Sequence, residues 1–102
     1  MEQFLNKHAA EKLNTFFDFA DELTDGATIS SKTVTAVDSA GTTATSTIVS
    51  SSAISGTQVT AVLHQGTSGQ TYTVTFQATA SDGEVLEKQL VLRVNDNLQR
   101  YA

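Results

Sequence analysis

The sequence predicts an all-β fold, a two-layer sandwich of about seven strands with a short N-terminal arm or helix. Ser and Thr supply 26 of the 102 residues, and 16 of these are Thr, a β-branched residue suited to half-buried pleated surfaces. The threonines alternate with apolar residues instead of forming a polar tract, which favours strands over disorder. Turn signals recur roughly every eight to twelve residues, as is typical of β-sandwiches.

The first twelve residues differ from the rest, and we predict a separate N-terminal arm over 1–12. Several residues there are spaced as on one face of a short amphipathic helix: Phe4, Leu5, His8, Ala9 and Lys12. So short a helix needs something to pack against, and the alternative is a frayed terminus. The sandwich is assigned to residues 13–95 and a C-terminal tail to 96–102.

Strands are predicted where apolar and polar residues alternate between glycine-containing turns. The predicted segments are 13–19, 28–37, 44–52, 57–64, 71–79 and 85–94. A break is expected at 53–56, where the alternation stops at a glycine.

The last two segments form the clearest unit, a hairpin closed by Ser81, Asp82 and Gly83. In the first strand of this hairpin, residues 71–79, one face is apolar throughout: Tyr72, Val74, Phe76 and Ala78. The returning strand places Leu86, Leu90, Leu92 and Val94 on one face. Lys88 interrupts that face near the turn, where its stem can lie along the sheet while its charge reaches water. Because two strands alone are unstable, the hairpin requires a second layer.

Tyr72 indicates the kind of sandwich. It follows a glycine-containing loop and stands at the start of a strand, which is the position of the tyrosine corner in immunoglobulin-like sandwiches. There the hydroxyl bonds to the backbone a few residues upstream. The alternative is an ordinary half-buried tyrosine.

Little in the sequence points to chemistry. Without cysteine there is no thiol nucleophile or thiolate metal site, and His8 and His64 lack the convergent ligands of a metal centre. Hydroxyl side chains are plentiful, but none lies in a nucleophile motif. We therefore predict no enzyme activity, no cofactor and no metal site.

An acidic run between the first two predicted strands raises the question of Ca²⁺: Asp18, Asp21, Glu22 and Asp25. The run lacks the alternating spacing of a calcium loop, so a solvated acidic corner is preferred. A net charge of −5 argues against nucleic-acid binding. Apolar runs are far shorter than the roughly 20 residues of a membrane helix.

Four blocks carry a family resemblance: Leu-Asn-Thr-Phe-Phe-Asp-Phe at 13–19, Asp-Glu-Leu-Thr-Asp-Gly-Ala-Thr-Ile-Ser-Ser at 21–31, Gly-Thr-Ser-Gly-Gln-Thr-Tyr-Thr-Val-Thr at 66–75, and Leu-Val-Leu-Arg-Val at 90–94. Over about residues 7–94 the chain resembles small bacteriophage virion proteins with an immunoglobulin-like fold, the fiber–tail adaptors and neck–tail accessory proteins. That family usually has Leu-Asp-Tyr-x-x-Asp-Trp in the first block. Here Phe replaces the Tyr and Trp, and residues 38–56 match little.

The resemblance implies a structural, non-catalytic virion component at the neck, tail or fiber attachment of a tailed phage. Implied partners are portal, neck, tail or fiber proteins, and a homo-oligomeric ring is expected. The protein would be made in the host cytoplasm without a signal peptide and act in the virion. Apolar and aromatic residues outside the predicted core are the candidate anchors: Phe4, Leu5, Leu98 and Tyr101.

Three alternatives remain open at this point. A carbohydrate- or surface-binding module uses the same fold, but it usually displays exposed Trp or Tyr, and this chain has no Trp and two Tyr. The others are one immunoglobulin-like repeat of a bacterial adhesin and a capsid decoration protein.

Overall fold

Seven strands and one helical turn make up the described part of the chain. The computed structural model of the chain describes residues 3–24 and 26–95. In chain order the elements are β1 (Gln3–Lys7), β2 (Leu13–Asp18), β3 (Ile29–Asp38), α1 (Thr45–Ile48), β4 (Val49–Ser55), β5 (Gln58–Leu63), β6 (Thr71–Ala80) and β7 (Val85–Val94).

The strands form two sheets, with the order β1-β7-β6-β3 in one and β2-β5-β4 in the other. The predicted all-β sandwich is confirmed. The arrangement corresponds to the immunoglobulin pattern, in which strands B, E and D face strands C, F and G. Here β2, β5 and β4 take the first set of positions and β3, β6 and β7 the second. β1 lies beside β7 and pairs with it in parallel.

The core follows from strand alternation, because successive side chains of a strand point to opposite faces. In β6 every second residue from Tyr72 to Ala80 is buried, while the intervening Thr and Gln side chains are half-buried on the outer face. β5 supplies the facing layer with Val59, Ala61 and Leu63, at most 2% exposed. The rings of Phe17 and Phe76 join the two layers edge to face, with centroids 4.9 Å apart.

Residues 3–12, the described part of the predicted arm, contain no helix, so the helix considered for this arm is wrong. Gln3–Lys7 form β1, whose Leu5 lies opposite Leu92 of β7. Leu5 also packs against the core. The spacing of Phe4, Leu5, His8 and Ala9 suits a helix, but pairing with β7 satisfies backbone hydrogen bonds that an isolated short helix in water maintains poorly. The first predicted strand is thus the second strand of the fold.

The middle of the chain also differs from the prediction. The strand expected at 44–52 begins as the helical turn α1, and β4 continues to Ser55 through the expected break. The Thr45 hydroxyl attaches this turn to β3, because it accepts a hydrogen bond from the backbone N–H of Ala36 at 3.0 Å. The turn places Ile48 in the core with no exposed surface. The burial of Ile48 therefore stabilises the helical turn over the strand that the alternation at 44–52 predicts.

Candidate interaction surface

A groove of about 420 Å³ lies between the edge strands β1 and β2, on one side of the sandwich. We call it the edge groove. Its base is formed by the inward-facing Leu5, Phe17 and Leu90, which pack on or within the core. Its rims carry Phe4 from β1 and Phe16 from β2. These rings are 58% and 59% exposed, so two large apolar side chains flank an apolar base.

Alternation along β2 explains why Phe16 is exposed. Leu13, Thr15 and Phe17 point inward, whereas Phe16 lies on the outward face together with Asn14 and Asp18. Sequence reasoning missed Phe16 as an interaction residue. The signal was present, since an aromatic residue on the polar face of an alternating strand has no core to enter.

Phe4 is the exposed member of the predicted N-terminal pair. The guanidinium carbon of Arg93 lies 4.7 Å from the centroid of its ring, a cation–π geometry that holds the ring against the outer face of the sheet. Leu5 instead packs against the core. Leu98 and Tyr101, the other two predicted anchors, lie outside the described residues.

Along the groove, the outer edge of β2 has no strand partner among residues 3–24 and 26–95. Phe19 donates its N–H to the carbonyl of Thr57 at 2.9 Å, and antiparallel partners exchange such bonds only at every second residue. The register of β2 with β5 therefore directs the backbone groups of Leu13, Thr15 and Phe17 toward β5. The N–H and C=O groups of Asn14 and Phe16 point the other way, into the groove.

A lysine from the four-stranded sheet closes each end of the groove. At one end Lys7, fully buried, donates from Nζ to the carbonyls of His8 (2.8 Å), Ala9 (3.1 Å) and Gln65 (2.5 Å). The last of these lies in the loop after β5, so the bond joins the two sheets.

At the other end Lys88 pairs with Glu22 at 2.7 Å and donates to the carbonyl of Asp18 at 3.1 Å. Its ammonium lies 5.4 Å from the centroid of the Phe19 ring. The sequence predicts that the stem of this lysine lies along the sheet while its charge reaches water; in the structure the side chain is 31% exposed and its ammonium binds Glu22 and the Asp18 carbonyl. The two sheets are thus held at both ends, with the open groove between them.

Asp18 supplies the ionised group at the groove. Its Oδ1 accepts hydrogen bonds from the Thr57 hydroxyl at 2.7 Å and from the Ala20 N–H at 2.9 Å. These bonds, the hydroxyl first, hold the pKa of the Asp18 carboxyl below its usual range, since they favour the charged form. The groove therefore carries a negative charge at neutral pH.

Tyr72 lies at the start of β6, 5% exposed. Its hydroxyl oxygen accepts a hydrogen bond from the backbone N–H of Thr67, five residues upstream, at 3.0 Å. Gly66 lies next to this contact with φ near +100°, and a Cβ added there would come within 2.8 Å of a Val94 methyl carbon. The loop before β6 therefore packs closely on the tyrosine and on the end of β7.

Within residues 3–24 and 26–95, no three His, Asp or Glu side chains group as metal ligands do. Of the acidic run, Asp18 and Glu22 bind groups of the chain itself, and Asp25 lies outside the described residues. No helix in the described part of the chain is long and apolar enough to cross a membrane.

The comparison with known families concerns nearly the whole sandwich. Residues 7–93 match the family model of the podophage GP4 fiber-tail adaptor protein gp77. The chain belongs to this family. It is therefore a structural component of a bacteriophage virion, as the sequence resemblance implied. The family assignment does not support a carbohydrate-binding module, an adhesin repeat or a capsid decoration protein. No curated protein gives a significant match.

Proposed function

We propose that the chain is a rigid, non-catalytic link between the tail and the fibers of a podophage. The observation that carries this proposal is the match of residues 7–93 to a fiber–tail adaptor family. The fold suits the role, because a sandwich whose sheets are joined at both ends of an open side is a stiff body with usable edges. The interface groups are the exposed rings of Phe4 and Phe16.

A closed homo-oligomeric ring is part of the proposal. Most soluble homo-oligomers have closed symmetry, and a head-to-tail contact closes into a ring when its rotation permits. In such a ring, copies would contact through surfaces other than the edge groove, which is left for a different protein. The protein would be made in the host cytoplasm and incorporated into the particle without export.

The test is deletion of the gene from the phage that encodes the chain, with the protein supplied from a plasmid as control. We expect deletion particles to have tails without fibers in electron micrographs, and the plasmid to restore them. Mass spectrometry of purified particles should detect the plasmid-supplied protein, and image reconstruction should show it as a ring. Fibers attached in normal number to deletion particles would contradict the adaptor role.

A further inference from the structure

The two open sides of the sandwich are built differently. On the β3–β4 side Lys32 donates to the Ser52 hydroxyl at 2.6 Å, and the N–H of Ala44 donates to the carbonyl of Ala36 at 2.8 Å. The first bond joins β3 to β4 across that side, and the second attaches the chain before α1 to β3. On the β1–β2 side the lysine contacts lie at the two ends, and the middle is the edge groove.

The edge groove has the parts needed to bind an extended chain. The backbone groups of Asn14 and Phe16 face it without a strand partner among the described residues, because β2 is the last strand of its sheet. An added strand would pair with them and place alternate side chains toward the sandwich interior. There it would meet the apolar base formed by Leu5, Phe17 and Leu90.

The charge of the edge groove indicates what kind of segment binds there. The carboxylate of Asp18 is exposed at the groove, and the whole chain carries a net charge of −5. The described residues that line the groove include no basic side chain to balance this carboxylate. A segment from another protein with a basic residue near Asp18 complements the groove, since opposite charges guide docking and fix register.

We infer that the edge groove binds an extended segment of another virion protein by strand addition to β2. The segment has apolar side chains at alternate positions and a basic residue beside Asp18. This inference rests on the proposed adaptor function, because it names the surface through which the adaptor holds a neighbour.

The first test uses substitutions in the phage gene. Asn14→Pro removes one groove-facing N–H and leaves the bonds to β5 in place, since proline is tolerated on edge strands. Phe16→Ser removes a rim of the groove. Val85→Ser is the matched control, because Val85 is 58% exposed on β7 and does not line the groove. Thermal unfolding of each purified variant checks its fold.

We expect Asn14→Pro and Phe16→Ser each to lower the number of copies per particle about tenfold, which corresponds to roughly 1.4 kcal/mol. The control should incorporate like the unsubstituted protein. If unsubstituted protein is absent from particles, the adaptor function itself fails. If it is present and Phe16→Ser incorporates as well as Val85→Ser, the inference about the groove is wrong whatever Asn14→Pro does.

The second test identifies the occupant. The photo-crosslinking residue p-benzoylphenylalanine replaces Phe16, or Val85 as control, and purified particles are irradiated. We expect position 16 to crosslink to one segment of a different virion protein, with alternating apolar residues and a nearby Lys or Arg, and position 85 not to. Crosslinks from position 16 to another copy of this chain, or to no protein, would overturn the inference.

Discussion

At the scale of the residue, Lys7 shows how a charge is accommodated in the interior. A buried ammonium is costly unless its hydrogens are bonded, and three backbone carbonyls accept from Nζ. One of them belongs to Gln65, whose φ of +54° lies in the left-handed region that non-glycine residues seldom adopt. This backbone position costs about 1–2 kcal/mol, and the bond to Lys7 offsets part of it.

Tyr72 allows a residue-level prediction. We propose that its hydrogen bond with the Thr67 N–H acts as a tyrosine corner, fixing the loop before β6. Tyr72→Phe should lower the free energy of unfolding by about 1 kcal/mol, the usual net value of one hydrogen bond. Urea unfolding of the purified protein measures it. In a Thr67→Pro background, which lacks the donor, the same substitution should cost nothing further.

The test compares the loss of unfolding free energy that Tyr72→Phe causes in the unsubstituted protein with the loss that it causes in the Thr67→Pro protein. If Tyr72→Phe leaves the unfolding midpoint unchanged in the otherwise unsubstituted protein, the hydrogen bond of the hydroxyl does not stabilise the fold. An equal loss in both backgrounds would assign the effect to packing of the ring instead of the hydrogen bond.

At the scale of the element, aspartate side chains hold several turns, and Asp18 and Asp82 hold two of them. Asp18, at the end of β2, accepts from the Thr57 hydroxyl and the Ala20 N–H. Asp82, in the turn between β6 and β7, accepts from the N–H of Glu84 at 3.1 Å. Hydrogen bonds lower the pKa of both carboxyls in the folded protein. The ionised form of each therefore stabilises its turn.

A dependence on pH follows for Asp18. Because its folded pKa lies below the ordinary value of 3.8, its contribution is present above that value and is lost as pH falls through the folded pKa. Asp18→Asn should flatten the fall of the thermal midpoint between about pH 5 and pH 2. Asp21→Asn removes the same charge from an exposed position and serves as control. Identical curves for the two variants would contradict a specific role for Asp18.

At the scale of the whole molecule, β1 is an integral strand. It pairs with β7 over five residues, buries Lys7 and covers part of the core with Leu5. Removal of residues 1–10 exposes the edge of β7 and leaves the carbonyl of Gln65 without its lysine donor. The sequence pattern predicts that this segment is an arm outside the sandwich, whereas in the structure it is the fourth strand of the larger sheet.

Removal of residues 1–10 should therefore lower the free energy of unfolding by about 3 kcal/mol or more, from lost apolar burial and unsatisfied polar groups. Denaturant unfolding of the truncated protein measures it. Removal of residues 1 and 2 alone is the control and should have little effect. A truncated protein as stable as the full chain would show that β1 adds nothing to the fold.

Alternation by itself determined the β6–β7 hairpin, the inward residues of β5 and the place of Tyr72, because which side chains of a strand are buried follows from a local period of two. The family resemblance was likewise available from the ordered blocks of the sequence.

Tertiary structure alone decided that β1 is a strand, that Lys7 is buried, that α1 interrupts the expected fourth segment, and that an apolar groove with Phe16 on its rim runs beside β2. The physical reason is that pairing and burial depend on residues distant in sequence. β1 pairs with β7, which lies more than eighty residues later in the chain. Which strand lies at the edge of a sheet is known only when the pairing of all the other strands is known.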